Sequence, residues 1–106
     1  MVANYKGSED YLYDYFKSIK NQNNKNFDLL IINDNVRLYD DLKLGIRIHQ
    51  INVTGNIHVS QVRFKGIKYA LDNGYKKLIF SDIDDYYSEN RISETLKHLD
   101  YYDFVY

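Results

Sequence analysis

The stretch Phe27-Asp28-Leu29-Leu30-Ile31-Ile32-Asn33-Asp34-Asn35 (FDLLIINDN) decides the architecture. Its apolar residues run almost unbroken from Phe27 to Ile32 and stop in the polar cluster Asn33, Asp34, Asn35. A strand of that length that is apolar on both faces suits the interior of a parallel sheet covered by helices on both sides. Upstream, Tyr11, Leu12, Tyr15, Phe16 and Ile19 recur at the spacing of one helix face. Ser8 stands where an N-cap would, with Glu9 and Asp10 in the first turn, and NQNNKN ends the pattern. A strand ahead of this helix has to come from Met1 to Asn4, which is short for a central position.

Downstream, Leu38 to Leu44 is ambiguous: Leu38, Leu42 and Gly45 allow a short helix. Ile48 to Val53 reads as a strand. Val59, Val62, Ile67, Ala70 and Leu71 form a broad helical stripe, and Asn73-Gly74 supplies a residue able to enter the left-handed conformation that stops a helix. Leu78-Ile79-Phe80 reads as a further buried strand running into SDIDDYYSEN. Ser88 suits the cap of a last helix with Ile92, Leu96 and Leu99 inward, and Asp103 to Tyr106 resembles the start of another strand. The order β-α-β-(α)-β-α-β-α-β predicts a three-layer α/β/α, Rossmann-like fold with a mostly parallel sheet of about five strands. We expect one domain over 1–106, with both ends looking clipped from a longer protein.

Composition narrows the function. The chain has 106 residues, 14 Lys and Arg against 15 Asp and Glu, and a net charge of −1, so the electrostatic footprint of a nucleic-acid binder is missing. Zero Cys excludes disulfide scaffolds, thiol nucleophiles and Cys-zinc sites. The N-terminus lacks the basic-then-apolar layout of a signal peptide, and no apolar run approaches the ~20 residues of a membrane helix. A cytoplasmic protein is the default, including one working at the cytoplasmic face of a membrane. Twelve Tyr and five Phe with no Trp supply large, amphipathic side chains to a small core.

Ligands of open α/β sheets bind beyond the carboxyl ends of the strands. The residues to read are therefore Asn4-Tyr5, Asn33-Asp34-Asn35 and Asp82-Ile83-Asp84-Asp85. None carries the glycine fingerprint of a dinucleotide fold or a P-loop. Three carboxylates within four residues repel one another, and a hard divalent cation such as Mg²⁺ or Mn²⁺ resolves that repulsion. Asp-rich loops also serve as helix caps and Asx turns, which is the competing explanation.

Read with its flanks, IFSDIDDYYSENRI resembles the nucleotide-sugar-dependent glycosyltransferases of the GT-A fold, in particular family 2. ANYKGSEDYLYDYFKSIKNQ is similar to the family's first strand and helix, FDLLIINDN to its strand ending in Asp-Asp, VRFKGIKYAL to its Arg-Asn-x-Gly-Ile helix, and GYKKLIFSDIDDYYSENRI to its strand and Asp-x-Asp loop. Four pieces in order cover essentially the whole chain. Two other parallel α/β families fit less well: haloacid-dehalogenase phosphatases want Gly-Thr after the second Asp, where Asp85-Tyr86 stands, and response-regulator receivers need a late strand ending in Lys.

The resemblance implies a nucleoside-diphosphate-sugar donor, UDP-sugars favoured, and a Mn²⁺ or Mg²⁺ cofactor. Tyr5 would stack on the base, Ala3 and Asn4 would give edge contacts, and Asp34 would accept the base's ring N–H. Arg63 would reach toward base and diphosphate, Asp84 would hold the metal, and Asp82 would sit near the ribose or help with the ion. The plainer alternatives are Tyr5 in the core, Asp34 in a turn, Asp85 closing a turn and Arg63 as a solvated partner of an acid. Asn35-Val36, Phe64 and Glu89 depart from the family's usual Gly-Ser, Asn and Pro. No residue fits the general base, so the implied unit is a donor-binding half, inactive alone in glycosyl transfer to a hydroxyl acceptor. The rival is a non-catalytic nucleotide-binding or self-associating module, forming homo-oligomers through exposed sheet edges. His49, His58 and His98 are scattered and read as structural or exposed.

Overall fold

The computed structural model describes residues 1–37 and 41–99. Strand β1 (Val2–Tyr5) leads into helix α1 (Glu9–Lys20), followed by strands β2 (Leu29–Asp34) and β3 (Ile48–Val53), then helices α2 (Val59–Asp72) and α3 (Arg91–Leu99). The strands form one parallel sheet in the order β1-β2-β3. Tyr5 pairs with Asp34 and Asp34 with Val53, so the carboxyl ends lie level.

Alternation along β2 explains the layers. Leu29 and Ile31 turn to a core built with Leu12, Tyr15, Phe16 and Ile19 of α1 and Ile92 of α3, joined by Ile83 and Tyr87. Leu30 and Ile32 turn to a second core with Val53 and Val62 of α2. Helices therefore cover both faces, and the expected three-layer α/β/α arrangement with a parallel sheet is present. Asp34 is the one residue of β2 that is not buried.

The sheet is narrower than expected: three strands among the described residues, not about five. Leu78 to Phe80 forms no strand; a single parallel bridge joins Ser81 to Val2, supported by Ser81 N–H to Met1 O (2.9 Å) and Met1 N to Ile79 O (2.7 Å). The physical reason is register. With Ser81 opposite Val2, where β1 starts, Leu78 to Phe80 lie beyond the end of the strand they would pair with. The Ser81–Val2 bridge keeps the segment against the start of β1. The strand expected at Asp103 to Tyr106 lies outside the described residues, as do residues 38–40 of the ambiguous segment; Asp41 to Leu44 is not helical.

Some details of the helices differ from expectation, among them Tyr11 of the α1 face, which is 47% exposed. Ser8 occupies the N-cap position of α1 but makes no capping bond, because its hydroxyl donates to Asn4 Oδ1 at 2.6 Å. Val59 and Leu71, expected on the inward stripe, are 60% and 68% exposed; the face of α2 that meets the sheet is Val62, Gly66 and Ala70. Gly66 lets α2 approach closely, since a Cβ there would overlap Met1 Sδ and lie 2.5 Å from Ile32 Cδ1. As expected, α2 stops at Asn73-Gly74: Gly74 has φ +81°, with Tyr75 N–H to Ala70 O (3.0 Å) and Gly74 N–H to Leu71 O (3.1 Å) in a Schellman arrangement. At its other end the His58 side chain accepts from Ser60 N–H, and Gln61 completes a capping box.

Candidate functional site

Period-two alternation sends neighbouring residues of β1 to opposite faces. Ala3 and Tyr5 face the α2 side, where Tyr5 is 42% exposed. Asn4 faces α1 and is buried in a line of amides: Ser8 Oγ donates to Asn4 Oδ1, Asn4 Nδ2 to Asn33 Oδ1 (2.9 Å), and Asn33 Nδ2 to Gln50 Oε1 (3.1 Å). Its side chain is thereby occupied. Asp34, half-buried at the end of β2, accepts from Asn35 Nδ2 at 2.9 Å. Asn35 adopts φ +55°, a left-handed conformation that Asn tolerates better than most residues.

Beyond Ser81 the chain makes a tight acidic turn. Asp85 N–H donates to Asp82 O (2.9 Å), and Asp82 N–H donates to Asp85 Oδ2 (3.0 Å). Ile83, 1% exposed, plugs the turn into the α1-side core and leaves Asp82 and Asp84 pointing to solvent. Carboxylate oxygens of Asp82, Asp84 and Asp85 all come within 4.8 Å of one another. Three hard oxygen donors at that spacing fit a hard divalent cation and leave room for waters or a phosphate. Arg63 on α2 reaches Asp82 Oδ1 with Nη2 at 3.5 Å; both side chains are more than half exposed, so the pair itself contributes little.

A hollow of about 220 Å³ opens here, lined by Ala3, Tyr5, Ile32, Arg63, Asp82 and Asp84 among others. It gathers five of the residues singled out from sequence, from β1, α2 and the acidic turn. Asn4 and Asp34 do not line it, although Asp34 adjoins Tyr5 in register.

Behind the turn lies a support that sequence reading missed. Tyr15 is fully buried, and its hydroxyl lies 2.7 Å from Ser81 Oγ, 66 positions along the chain. The only sequence signal for Tyr15 is its place on the inner face of α1, which any large apolar residue would share. Burial first, with Tyr87, Asp85 and Asp82 adding to it, pushes the Tyr15 phenol far above the ordinary tyrosine range, so it stays protonated. A second hollow, about 480 Å³, lies where the strands begin, with His49, Tyr69 and Tyr75 in its wall. His49 Nδ1 contacts the Tyr69 hydroxyl (2.8 Å), and Nε2 lies 3.2 Å from Asp28 Oδ2.

A parallel α/β/α sheet with a basic and acidic hollow at its carboxyl edge has the layout in which open α/β sheets bind their ligands. The family model described as "Glycosyl transferase family 2" matches residues 1–106, and the chain belongs to that family. No curated protein and no solved structure matches it. Membership makes it glycosyltransferase-like at family level. Among the described residues, no helix is long and apolar enough to cross a membrane.

Proposed function

We propose that the chain is the donor-binding half of a glycosyltransferase, taking a nucleoside-diphosphate sugar, UDP-sugars first, with Mn²⁺ or Mg²⁺, for glycosyl transfer to a hydroxyl acceptor. The observation that carries the reading is the convergence of Asp82, Asp84 and Asp85 within 4.8 Å beside Arg63 and Tyr5. Asp84, with Asp82, would hold the ion, which when bound neutralises charge on the departing diphosphate. Tyr5 offers a half-exposed ring face for the base. Asp34, beside Tyr5 at the strand ends, accepts the base's ring N–H. Ala3 and Asn4 contribute edge contacts, Asn4 through its backbone because its amide is tied to Asn33. Arg63 exchanges its loose contact with Asp82 for the diphosphate, a stronger charge-assisted bond. We assign no general base to this chain and expect no turnover from it alone.

Calorimetric titration of UDP with and without Mn²⁺ tests this. Mn²⁺-dependent binding that Asp84→Asn abolishes is the expected result. Binding indifferent to Mn²⁺ or to Asp84→Asn overturns it. A tight dimer with no UDP affinity would favour a self-associating module instead; among the described residues β3 pairs on one side only.

A further inference from the structure

We infer that Tyr15 is a positioning residue for the acidic turn, gripping both of its ends from α1. At the leading end, its hydroxyl bonds Ser81 Oγ at 2.7 Å, and Ser81 immediately precedes Asp82. Ser81 Oγ in turn donates to Met1 O at 3.1 Å, so the phenol donates to Ser81 and the relay ends on the carbonyl ahead of β1. At the trailing end, the Tyr15 ring meets the Tyr87 ring with centroids 6.4 Å apart and planes tilted by 60°. Tyr87 is buried, and its hydroxyl donates back to Phe80 O at 3.4 Å. Between these anchors Ile83 is packed in the same core as Tyr15 and Tyr87.

The consequence is a turn with exposed carboxylates on a fixed backbone. Asp82 and Asp84 are exposed, and the 3.5 Å contact from Arg63 to Asp82 is loose, so their spacing depends on the backbone held by Ser81, Ile83 and Tyr87. A site whose ligand atoms must agree to a fraction of an ångström needs that kind of support from the residues behind it. Tyr15→Phe keeps the ring and its burial and deletes only the hydroxyl, which isolates the hydrogen bond.

The inference rests on the reading of the acidic turn as a cation site, so the experiment has one arm that needs no cation. Amide hydrogen exchange on the whole chain follows Asp82 and Asp85, whose N–H groups are bonded within the turn, with β2 amides as the reference for global opening. Tyr15→Phe and Ser81→Ala should each speed exchange at Asp82 and Asp85 by about five- to tenfold, the size of one ordinary hydrogen bond, and the double variant should add nothing further. β2 exchange should change less. In the second arm, Mn²⁺ titration followed by paramagnetic resonance should show weaker binding in both single variants. Wild-type exchange rates at the turn, or acceleration only in step with β2, would overturn the inference. Turn-specific acceleration in a wild-type background that binds no Mn²⁺ would leave the positioning role standing and remove the cation-site reading.

Discussion

Asn35 and Gly55 exchange a pair of hydrogen bonds: Asn35 Nδ2 donates to Gly55 O at 2.8 Å, and Gly55 N–H donates to Asn35 Oδ1 at 2.9 Å. The amide of Asn35 thus mimics a piece of backbone and ties the end of β2 to the loop leaving β3. Asn35→Ala loses both bonds, as well as the one to Asp34, and places an alanine at φ +55°, which together should cost roughly 2–4 kcal/mol. Asn35→Gly loses the bonds but keeps the conformation, and should cost about half as much. Urea denaturation of the three proteins checks the order.

Gly66 is where α2 touches the sheet. Gly66→Ala forces the helix outward or displaces Met1 and Ile32, an overpacking of about 1–3 kcal/mol. Because Arg63 lies one turn earlier on α2, the same variant should weaken UDP binding as well. Thermal melting and UDP titration on one sample separate the two effects.

Acidity acts through Asp28. The Tyr75 hydroxyl donates to its carboxylate and holds it below the ordinary carboxylate range; burial works against this, and His49 assists. A depressed folded pKa means stabilisation that is complete above the unfolded value, ~3.9, and lost as pH falls through the folded value. The same bond raises the Tyr75 phenol, whose contribution is present below the ordinary tyrosine value, ~10, and lost as pH rises above it. Tyr75→Phe should therefore flatten both flanks of the melting temperature against pH, and Asp28→Asn should do the same. A variant profile parallel to wild type would contradict this.

Arg63→Ala should leave the melting temperature within the range of a surface substitution, because its pair with Asp82 is long and exposed. The loss should fall on nucleotide affinity instead, about tenfold or more if the guanidinium meets a diphosphate. Parallel losses of stability and affinity would contradict that division of roles.

The layers were legible in sequence because β2, β3, α1 and α2 carry their periods locally. Leu78-Ile79-Phe80 misled for the opposite reason. Its apolar character is that of a strand, but strand formation depends on how far β1 extends beside it, and Val2 marks that limit. Leu71 misled because the 3.6-residue period fixes a stripe but not its centre, and the small residues Gly66 and Ala70 took the sheet side. The acidic turn was legible since Asp82, Asp84 and Asp85 are neighbours in the chain. Tyr15 was not, because its partner Ser81 is remote and the bond exists only once α1 lies against the turn. Asn4 was read by position as an edge contact, and nothing local announced its buried bond to Asn33.

That line of amides has a further consequence, for how the strands find one another. A strand apolar on both faces, as β2 is, offers several nearly equivalent alignments to a short neighbour. Sliding β1 by two residues would set Val2 or an outside residue against Asn33, stranding a buried amide at about 1–3 kcal/mol for each group left without a partner. Asn4 and Asn33 therefore work as an alignment key. They reject mispaired ladders during folding and, in doing so, guarantee that Tyr5 arrives next to Asp34.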